Sequence, residues 1–411
     1  MRPLSLAVLF LLAFRGAADT LPGFRIETVA PVPGFASSVV TDSKGILYAT
    51  TTDGWIHRVE GTQSLPVAAL PTKAGGNGGL LGMALLDDST AVVHYTTWSG
   101  SRVLDDVIST VDLITGAEHV LKAFACDVEF RERGVSDEHH GGNLTVAPDG
   151  SIFVGIGEYG GHIIAQRPNW NGGKIWRLTR DGQATQFALG MRNPYDLAWD
   201  PEQQRLIVAD NGPTSGDEIH IVDSGDNCGW PETYGAHTPL AGFNSPVYVF
   251  PQTVAPTGMV RLGGANPILP RGLLTGAFVT RSLYHFPDLQ SRPLTAPVAI
   301  VSDFSDFIID VTESPTGELY FAAASFGGSA IYRLHTPPRG DCNGDGTTDA
   351  RDIIPTRREI ADDDGPSTFR AQEGTYAGSW GCDANADGLI NDADLEALSG
   401  MIASRRRAVR P

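Results

Sequence analysis

Two segments near the C-terminus place oxygen-bearing side chains at the spacing that a calcium ion requires. Residues 341–352 and 383–394 each carry such side chains at positions 1, 3, 5, 9 and 12, with glycine at position 6. Calcium takes about six to eight oxygen ligands, and the glycine permits the sharp turn that wraps the chain around the ion. A solvated acidic surface is the alternative, but the shared register of the two segments favours calcium. The predicted ligands, with the position-7 backbone carbonyl included, are Asp341, Asn343, Asp345, Thr347, Asp349, Asp352, Asp383, Asn385, Asp387, Leu389, Asn391 and Asp394.

A histidine pair lies in the earlier part of the chain, where acidic residues precede it and two glycines follow. The string 137–144 reads DEHHGGNL. An imidazole in such a loop can stay neutral and accessible, which suits His139 to act as a general base. The pair could instead bind a metal ion, and a loop histidine with an ordinary hydrogen bond is the plain alternative.

Two further loops offer groups for an anion and for a cation. Arg192 lies in the string GMRNPYD, and its planar guanidinium can hold an anionic group, with a structural salt bridge as the alternative. The carbonyls of Gly212 and Pro213, followed by Glu218, could ligate a hard cation, whereas an ordinary Gly-Pro turn is the plain reading.

The elements that must position these loops recur along the chain. A turn rich in Asp, Pro and Gly precedes two short β-rich runs about six times between residues 20 and 336, and convincing amphipathic helices are absent there. This pattern predicts an all-β fold, a six-bladed β-propeller, with a β-sandwich as the competing architecture. The paired runs are 46–48 with 55–59, 152–154 with 174–178, 206–208 with 218–222 and 319–321 with 330–334, and weaker copies lie near 85–88 and 276–279.

Composition and the two termini set the domain organisation. The chain has 411 residues and a net charge of -18, which disfavours a nucleic-acid binder. Residues 1–18 resemble a secretory signal peptide cleaved after Ala18. A membrane anchor is the alternative, but the apolar run is shorter than the roughly 20 residues that an anchor needs. No later segment is long and apolar enough to span a bilayer. We therefore expect an exported protein with a propeller at 19–336, a linker at 337–340, a calcium module with short helical segments at 341–404 and a basic tail at 405–411.

Four cysteines in an oxidising compartment suit two disulfides, for which three pairings exist. Cys342 and Cys382 stand at similar offsets from the two calcium loops, which favours a bond between them. Cys126 would then pair with Cys228.

Four stretches together resemble the soluble PQQ-dependent glucose/sorbosone dehydrogenases, also called aldose sugar dehydrogenases. They are 78–84 (GGLLGMA), 139–144, 173–178 running on to 192–194, and 212–213 leading to 230–231, and the resemblance covers most of residues 24–336. It implies a six-bladed propeller with PQQ over the channel mouth and a sugar as substrate. His139 would take the proton of the sugar C1 hydroxyl.

The resemblance also assigns the remaining site residues. Asn77, Arg192 and Asn193 would contact PQQ, and Arg192 would also face the developing charge. The carbonyls of Gly212 and Pro213 would hold a catalytic calcium ion, and Glu218 would lie at a neighbouring one.

The sequence departs from the family at several positions. Asn77 replaces a glutamine, Cys228 replaces a tyrosine, and Phe307 and Ile309 replace the two arginines of an Arg-x-Arg-Asp motif. A cofactor lysine expected after Phe278-Val279 is absent, and Arg281 is the nearby cation. These changes leave a non-catalytic propeller that binds a glycan or protein, and a calcium-dependent lactonase, as alternatives to a sugar dehydrogenase.

The C-terminal segment, about 340–400, resembles a type I dockerin, a duplicated calcium loop-helix module. This resemblance implies a protein partner for the module. Pro355 is expected to interrupt the helix after the first loop.

Overall fold

The protein forms a ring of six β-sheets followed by two helices. In the computed structural model the described residues are 19–21, 23–100, 102–126, 138–235, 240–269, 271–362, 381–385, 387 and 390–408. The predicted signal peptide at 1–18 and the predicted ligand Leu389 lie outside them.

Each sheet is one blade, whose strands pair antiparallel in chain order from the channel outward. Blade 1 consists of Ala36–Thr41, Leu47–Thr51, Trp55–Glu60 and Gln63–Ala69, and blade 2 of Leu80–Asp87, Thr90–Ser99, Arg102–Asp112 and Glu118–Ala125. Blade 3 consists of Leu144–Val146, Ile152–Ile156, Lys174–Leu178 and Ala184–Leu189, and blade 4 of Pro194–Asp200, Arg205–Asp210, Glu218–Val222 and Tyr248–Val249. Blade 5 consists of Pro256–Arg261, Leu273–Ala277, Ser282–Phe286 and Val298–Ser302, with Asp19–Thr20 at its edge, and blade 6 of Phe307–Glu313, Leu319–Ser325 and Gly328–His335.

The ring closes through the N-terminal part of the chain. Arg25–Val32 pairs antiparallel with Gly328–His335 and so becomes the outer strand of blade 6. The six innermost strands contact one another in sequence around the channel. The second strands are the most completely buried, and those of blades 1, 3 and 5 have no exposed residue. The six-bladed propeller is therefore confirmed, and the β-sandwich alternative is wrong.

The two cysteine predictions have different outcomes. Cys342 and Cys382 form a disulfide, as expected from their offsets. The Cys126–Cys228 pairing is wrong, because both are buried thiols. Cys126 packs in the apolar core of blades 2 and 3, whereas Cys228 packs in the core of blades 3 and 4.

The C-terminal region is helical. A short 3₁₀ helix at Ala350–Asp352 leads into helix α1 (Ile353–Asp362), which packs against helix α2 (Asp392–Ala408). Pro355 does not interrupt α1, because it lies in the first turn, where a backbone N–H has no helical acceptor. Helix α2 includes residues 405–407, so the basic tail begins inside a helix. Among the described residues, no helix combines the length and the apolar character needed to cross a membrane.

Candidate functional site

A cavity of about 530 Å³ opens at one end of the propeller channel. Its wall is formed by neutral groups, chiefly the amides of three asparagines, glycine backbone and a few apolar side chains. No lysine or arginine is among the described residues that line it. The asparagines are Asn77, Asn193 and Asn211, and the apolar residues include Leu81, Phe278 and Ile309.

His139 lies two residues before Gly141, which lines this cavity, and it is oriented by a buried acid; His139 itself is not among the lining residues. Its Nδ1 is 2.7 Å from Oε1 of Glu158, whose side chain has no exposed surface, while the imidazole itself is 12% exposed. Because an ionised carboxylate only accepts, Nδ1 carries the proton in this contact. The Nε2 atom is then the basic nitrogen, which is the arrangement that a general base needs.

The backbone of the His139 loop is tightly held. His139 has φ = 56°, a left-handed conformation that is uncommon for a residue with a side chain and is found preferentially at functional sites. Gly141 follows with φ = 79°, and a Cβ there would collide with the carbonyl oxygen of Gly155. The Gly141 N–H donates to Oδ1 of Asn193 at 3.1 Å, which joins the loop to the next predicted site residue.

Arg192 lies on the other side of Glu158. The Glu158 N–H donates to the Arg192 carbonyl at 2.9 Å, so one residue holds both the base and the arginine. Nη1 of Arg192 donates to the carbonyl oxygens of Asn211 (2.8 Å) and Gly212 (2.9 Å). The guanidinium carbon also lies 5.6 Å from the ring centroid of Trp230, a cation–π distance.

Asp210 fixes the backbone that carries Arg192 and Asn193. Its two carboxylate oxygens accept the N–H groups of these residues at 2.9 Å and 2.6 Å. Burial raises the pKa of the Asp210 carboxyl to about 6. The hydrogen bond from the Arg192 N–H lowers this pKa, and the nearby Glu218 carboxylate raises it further. The site therefore contains a buried carboxyl that titrates near neutral pH.

Several buried polar atoms of the site have no hydrogen-bond partner among the described residues. They include Nε of Arg192, Oδ1 of Asn211, Oε2 of Glu158 and Nε1 of Trp230. Such atoms are costly to bury alone, and a bound polar ligand would satisfy them. Nε of Arg192 and the amide N–H groups of the neighbouring asparagines are donors that fit an anionic, planar group on this side, whereas Oδ1 of Asn211 is an acceptor and would need a donor. Phe278 and Ile309 give the cavity an apolar part.

The residues expected to hold calcium in the propeller are engaged by protein groups. The Gly212 carbonyl faces the Arg192 guanidinium, and a second cation on the same oxygen would repel it. The Glu218 carboxylate contacts Nε2 of His220 at 2.8 Å and accepts the Gly235 N–H, and Pro213 is exposed. Calcium at these residues remains a prediction.

The two C-terminal loops share one hydrogen-bond pattern. In each, position 1 accepts the position-5 N–H, and position 12 accepts the N–H groups of positions 3 and 9. The distances in the first loop are 3.0 Å for Asp345 to Asp341, 3.1 Å for Asn343 to Asp352 and 2.8 Å for Asp349 to Asp352. Those in the second are 3.2 Å for Asp387 to Asp383, 3.2 Å for Asn385 to Asp394 and 2.8 Å for Asn391 to Asp394.

Burial and neighbouring carboxylates raise the pKa of carboxyl groups in these loops. The groups concerned are Asp341, Asp352 and Asp394. Crowding of acids around one point is the arrangement that a cation would relieve. Thr347 lies at position 7 of the first loop, as predicted.

Two site residues were not anticipated from the sequence. Glu158 follows the second strand of blade 3 inside the glycine-flanked string GIGEYGG, and a lone acid in such a loop is the signal that could have singled it out. The Trp230 ring under Arg192 was noted only as part of a Gly-Trp-Pro string. Of the predicted residues, the structure brings His139, Arg192 and Gly212 into one hydrogen-bonded chain through Glu158.

Comparison with known proteins places this geometry in context. The sequence matches the family described as Glucose / Sorbosone dehydrogenase over residues 29–333. It is 28% identical over 289 residues to the aldose sugar dehydrogenase of Escherichia coli, covering 62% of this chain and 77% of that protein. It is 32% identical over 181 residues to quinoprotein glucose dehydrogenase B of Acinetobacter calcoaceticus, covering 36% of this chain and 34% of that protein. The PQQ-bound aldose sugar dehydrogenase of Streptomyces coelicolor shares the fold, with a TM-score of 0.61 at 24% identity over 77% of this chain and 99% of the other.

Proposed function

The chain belongs to the glucose/sorbosone dehydrogenase family of oxidoreductase enzymes, and from this premise we propose that it oxidises an aldose or related sugar at C1 with PQQ. The observation that carries the proposal is the contact between His139 and the buried Glu158 beside the channel cavity. It supplies an oriented base next to a space large enough for a cofactor and a sugar.

The residues of the chain act on the proton of the substrate. Glu158 holds Nδ1–H of His139, so Nε2 accepts the proton of the sugar C1 hydroxyl, and the carboxylate stabilises the imidazolium that results. PQQ, when bound, supplies the quinone that accepts the C1 hydride with its electron pair, so that C1 becomes a lactone carbonyl.

The groups that would hold PQQ lie on the asparagine side of the cavity. Arg192 directly precedes Asn193, which lines the wall, and its Nε is a buried donor with no hydrogen-bond partner among the described residues. Asn77 and Asn193 supply neutral amides that fit carboxylate and carbonyl oxygens. Arg192 therefore carries the charge recognition of the cofactor.

The test has a binding part and a catalytic part. The full mature chain is titrated with PQQ in the presence of calcium, and binding is followed by retained quinone absorbance and by the rise in Tm that a ligand of the folded state produces. Dye-linked oxidation is then measured on a panel of aldoses. His139→Ala should abolish turnover but keep the fold.

The matched control is His119→Ala, which removes an exposed histidine from an outer strand of blade 2. It should leave turnover unchanged. Absence of both retained quinone and sugar oxidation in the wild-type protein would reject the proposal and favour the non-catalytic propeller. Lactone hydrolysis without PQQ would instead favour the lactonase alternative.

The C-terminal loops are proposed to bind two calcium ions, one each, and the module to dock onto a protein partner in the manner of a dockerin. The support is the repeated hydrogen-bond pattern of the two loops. The signal-like N-terminus supports export of the protein out of the cytoplasm. Limited proteolysis of the module with and without calcium tests the first of these proposals.

A further inference from the structure

A second group of reactive side chains is buried between blades 2 and 3, behind the His139 loop. Asp106, Cys126 and His140 each offer one ligand atom there, and these atoms all lie within 4.8 Å of one another. The exposed fractions are 0%, 2% and 1%. Sugar oxidation as proposed above uses none of the three.

We propose that Asp106, Cys126 and His140 form a site for a tetrahedral divalent transition-metal ion, zinc in the first place. The site clamps the loop that carries His139 onto blade 2. It is independent of PQQ and of the proposed sugar chemistry.

The distances between the three side chains suit such an ion. Nδ1 of His140 is 3.1 Å from Oδ1 and 3.3 Å from Oδ2 of Asp106, and Sγ of Cys126 is 3.6 Å from Oδ2. With Zn–S of about 2.3 Å and Zn–N or Zn–O of about 2.0–2.1 Å, tetrahedral geometry separates neighbouring ligand atoms by about 3.3–3.6 Å. The two distances to Oδ2 therefore match the coordination sphere of zinc, and the Cys126 and His140 ligand atoms lie within 4.8 Å of each other.

The donor types decide which ions the site accepts. A thiolate and an imidazole favour zinc and similar first-row ions, whereas calcium and magnesium prefer oxygen ligands alone. A thiolate and a carboxylate together also balance the two positive charges of the ion. The fourth coordination position would be taken by water.

A neighbouring histidine orients the carboxylate ligand. Nε2 of His94 is 3.2 Å from Oδ1 of Asp106, and its Nδ1 is 2.9 Å from the carbonyl oxygen of Gly142. Oδ2 of Asp106 faces Cys126, and Oδ1 of the same carboxylate is held by His94. Such a hydrogen-bond partner behind a metal ligand is usual. His94 also ties the site to the backbone of the His139 loop.

The consequence is a connection between the site and the catalytic loop. Cys126 follows the outer strand of blade 2 and Asp106 lies in its third strand, while His140 is the residue after His139. A metal bond across this junction fixes the loop more firmly than its hydrogen bonds alone. Removing the metal should lower the Tm.

The experiment uses the untagged mature chain with its Cys342–Cys382 disulfide intact, supplied with zinc and with excess calcium to occupy the C-terminal loops. Elemental analysis after dialysis should find about one zinc per chain. Cys126→Ser and His140→Gln should each lower the zinc content at least about tenfold, because losing even a hydrogen-bond partner of a ligand typically costs about 10- to 100-fold in metal affinity. Cys228→Ser, which removes the other buried thiol, is the matched control and should retain the zinc.

A second measurement does not depend on a variant that folds. Wild-type protein stripped of metal and reloaded with Co²⁺ should show a thiolate-to-cobalt charge-transfer band, which zinc abolishes. Absence of this band, or a zinc content that Cys126→Ser leaves unchanged, overturns the proposal and identifies the cluster as a metal-free hydrogen-bond network around Asp106.

Discussion

Nδ1 of His139 and Oε1 of Glu158 are 2.7 Å apart, and the carboxylate belongs to a side chain with no exposed surface. The two residues come from different loops, one before the first strand of blade 3 and one after its second strand. A buried acid that accepts from one ring nitrogen leaves the other nitrogen as the base. In the proposed sugar oxidation, Glu158 would therefore be the residue that orients His139 as the base.

Glu158→Gln should separate this role from a structural one. The amide can donate as well as accept, so it no longer enforces the Nδ1–H tautomer. We expect kcat of the PQQ-loaded protein to fall by about 10²- to 10⁴-fold, the usual size of a general-base contribution, with little change in KM. Steady-state kinetics and circular dichroism give the measurement, and Glu60→Gln at an exposed position of blade 1 is the control. An unchanged kcat would contradict the role given to Glu158.

Arg192→Gln should weaken PQQ binding without unfolding the propeller. It removes the cation that directly precedes Asn193, a residue of a cavity whose described lining contains no lysine or arginine. Charge-assisted hydrogen bonds contribute about 1.5–3 kcal/mol, so Kd should rise by about 10- to 100-fold in an absorbance titration. Arg177→Gln, which removes a partly exposed arginine paired with Asp149, should leave Kd unchanged. Equal effects of the two substitutions would show that Arg192 has no special part in binding.

Asp210→Asn should change both the stability and its pH dependence. One of the two N–H groups that Asp210 accepts loses its partner, and this should cost about 1–3 kcal/mol at neutral pH. Because the folded-state pKa is raised to about 6 from the ordinary value near 3.8, the wild-type protein gains stability from this group as the pH falls through 6.

The variant should lack that gain. Denaturant unfolding between pH 7.5 and pH 5, compared for wild type and variant, measures this gain, and Glu232→Gln at an exposed residue serves as the control. Parallel pH profiles for wild type and Asp210→Asn would contradict the assignment.

Calcium should protect the C-terminal module from proteolysis, and chelation should reverse this protection. Asp341→Ala combined with Asp383→Ala should abolish the effect, because position 1 is lost from both loops. Asp88→Ala, in the half-buried turn between the first two strands of blade 2, is the matched control. Protection that survives the double substitution would show that calcium acts elsewhere.

The pH dependence of the module should differ with and without calcium. The raised pKa of Asp341, Asp352 and Asp394 means that these three carboxyls bind protons more tightly in the folded loops than in the unfolded chain. Asp345 and Asp349 act in the opposite sense, because hydrogen bonds from Thr347 and Arg351 lower their pKa, so the two sets oppose each other in chelator. With calcium, resistance to proteolysis should decrease as the pH falls from neutral towards the ordinary carboxyl value of about 3.9, because protons compete with the ion.

Much of the fold could be predicted from the sequence, because its signals are local. A turn of Asp, Pro and Gly followed by β-rich runs specifies hairpins, and about six such units suffice for the blades. The oxygen ligands of a calcium loop are likewise neighbours in sequence. His139 and Arg192 could be identified as site candidates because their residue types and glycine-rich surroundings are unusual.

Contacts between distant segments were decided by the tertiary structure. Arg25–Val32 completes blade 6 next to Gly328–His335, and nothing within either strand specifies the other as partner. Cys126 does not pair with Cys228, because the closed ring places Cys228 between a different pair of blades. The neighbours of Cys126 are instead Asp106 and His140. Glu158 was not predicted for the same reason. It reaches His139 only because the first two strands of blade 3 pair antiparallel, which brings the loop after the second strand back to the loop before the first. Short-range patterns determine which elements form, whereas the pairing of buried polar groups depends on how the closed ring packs those elements together.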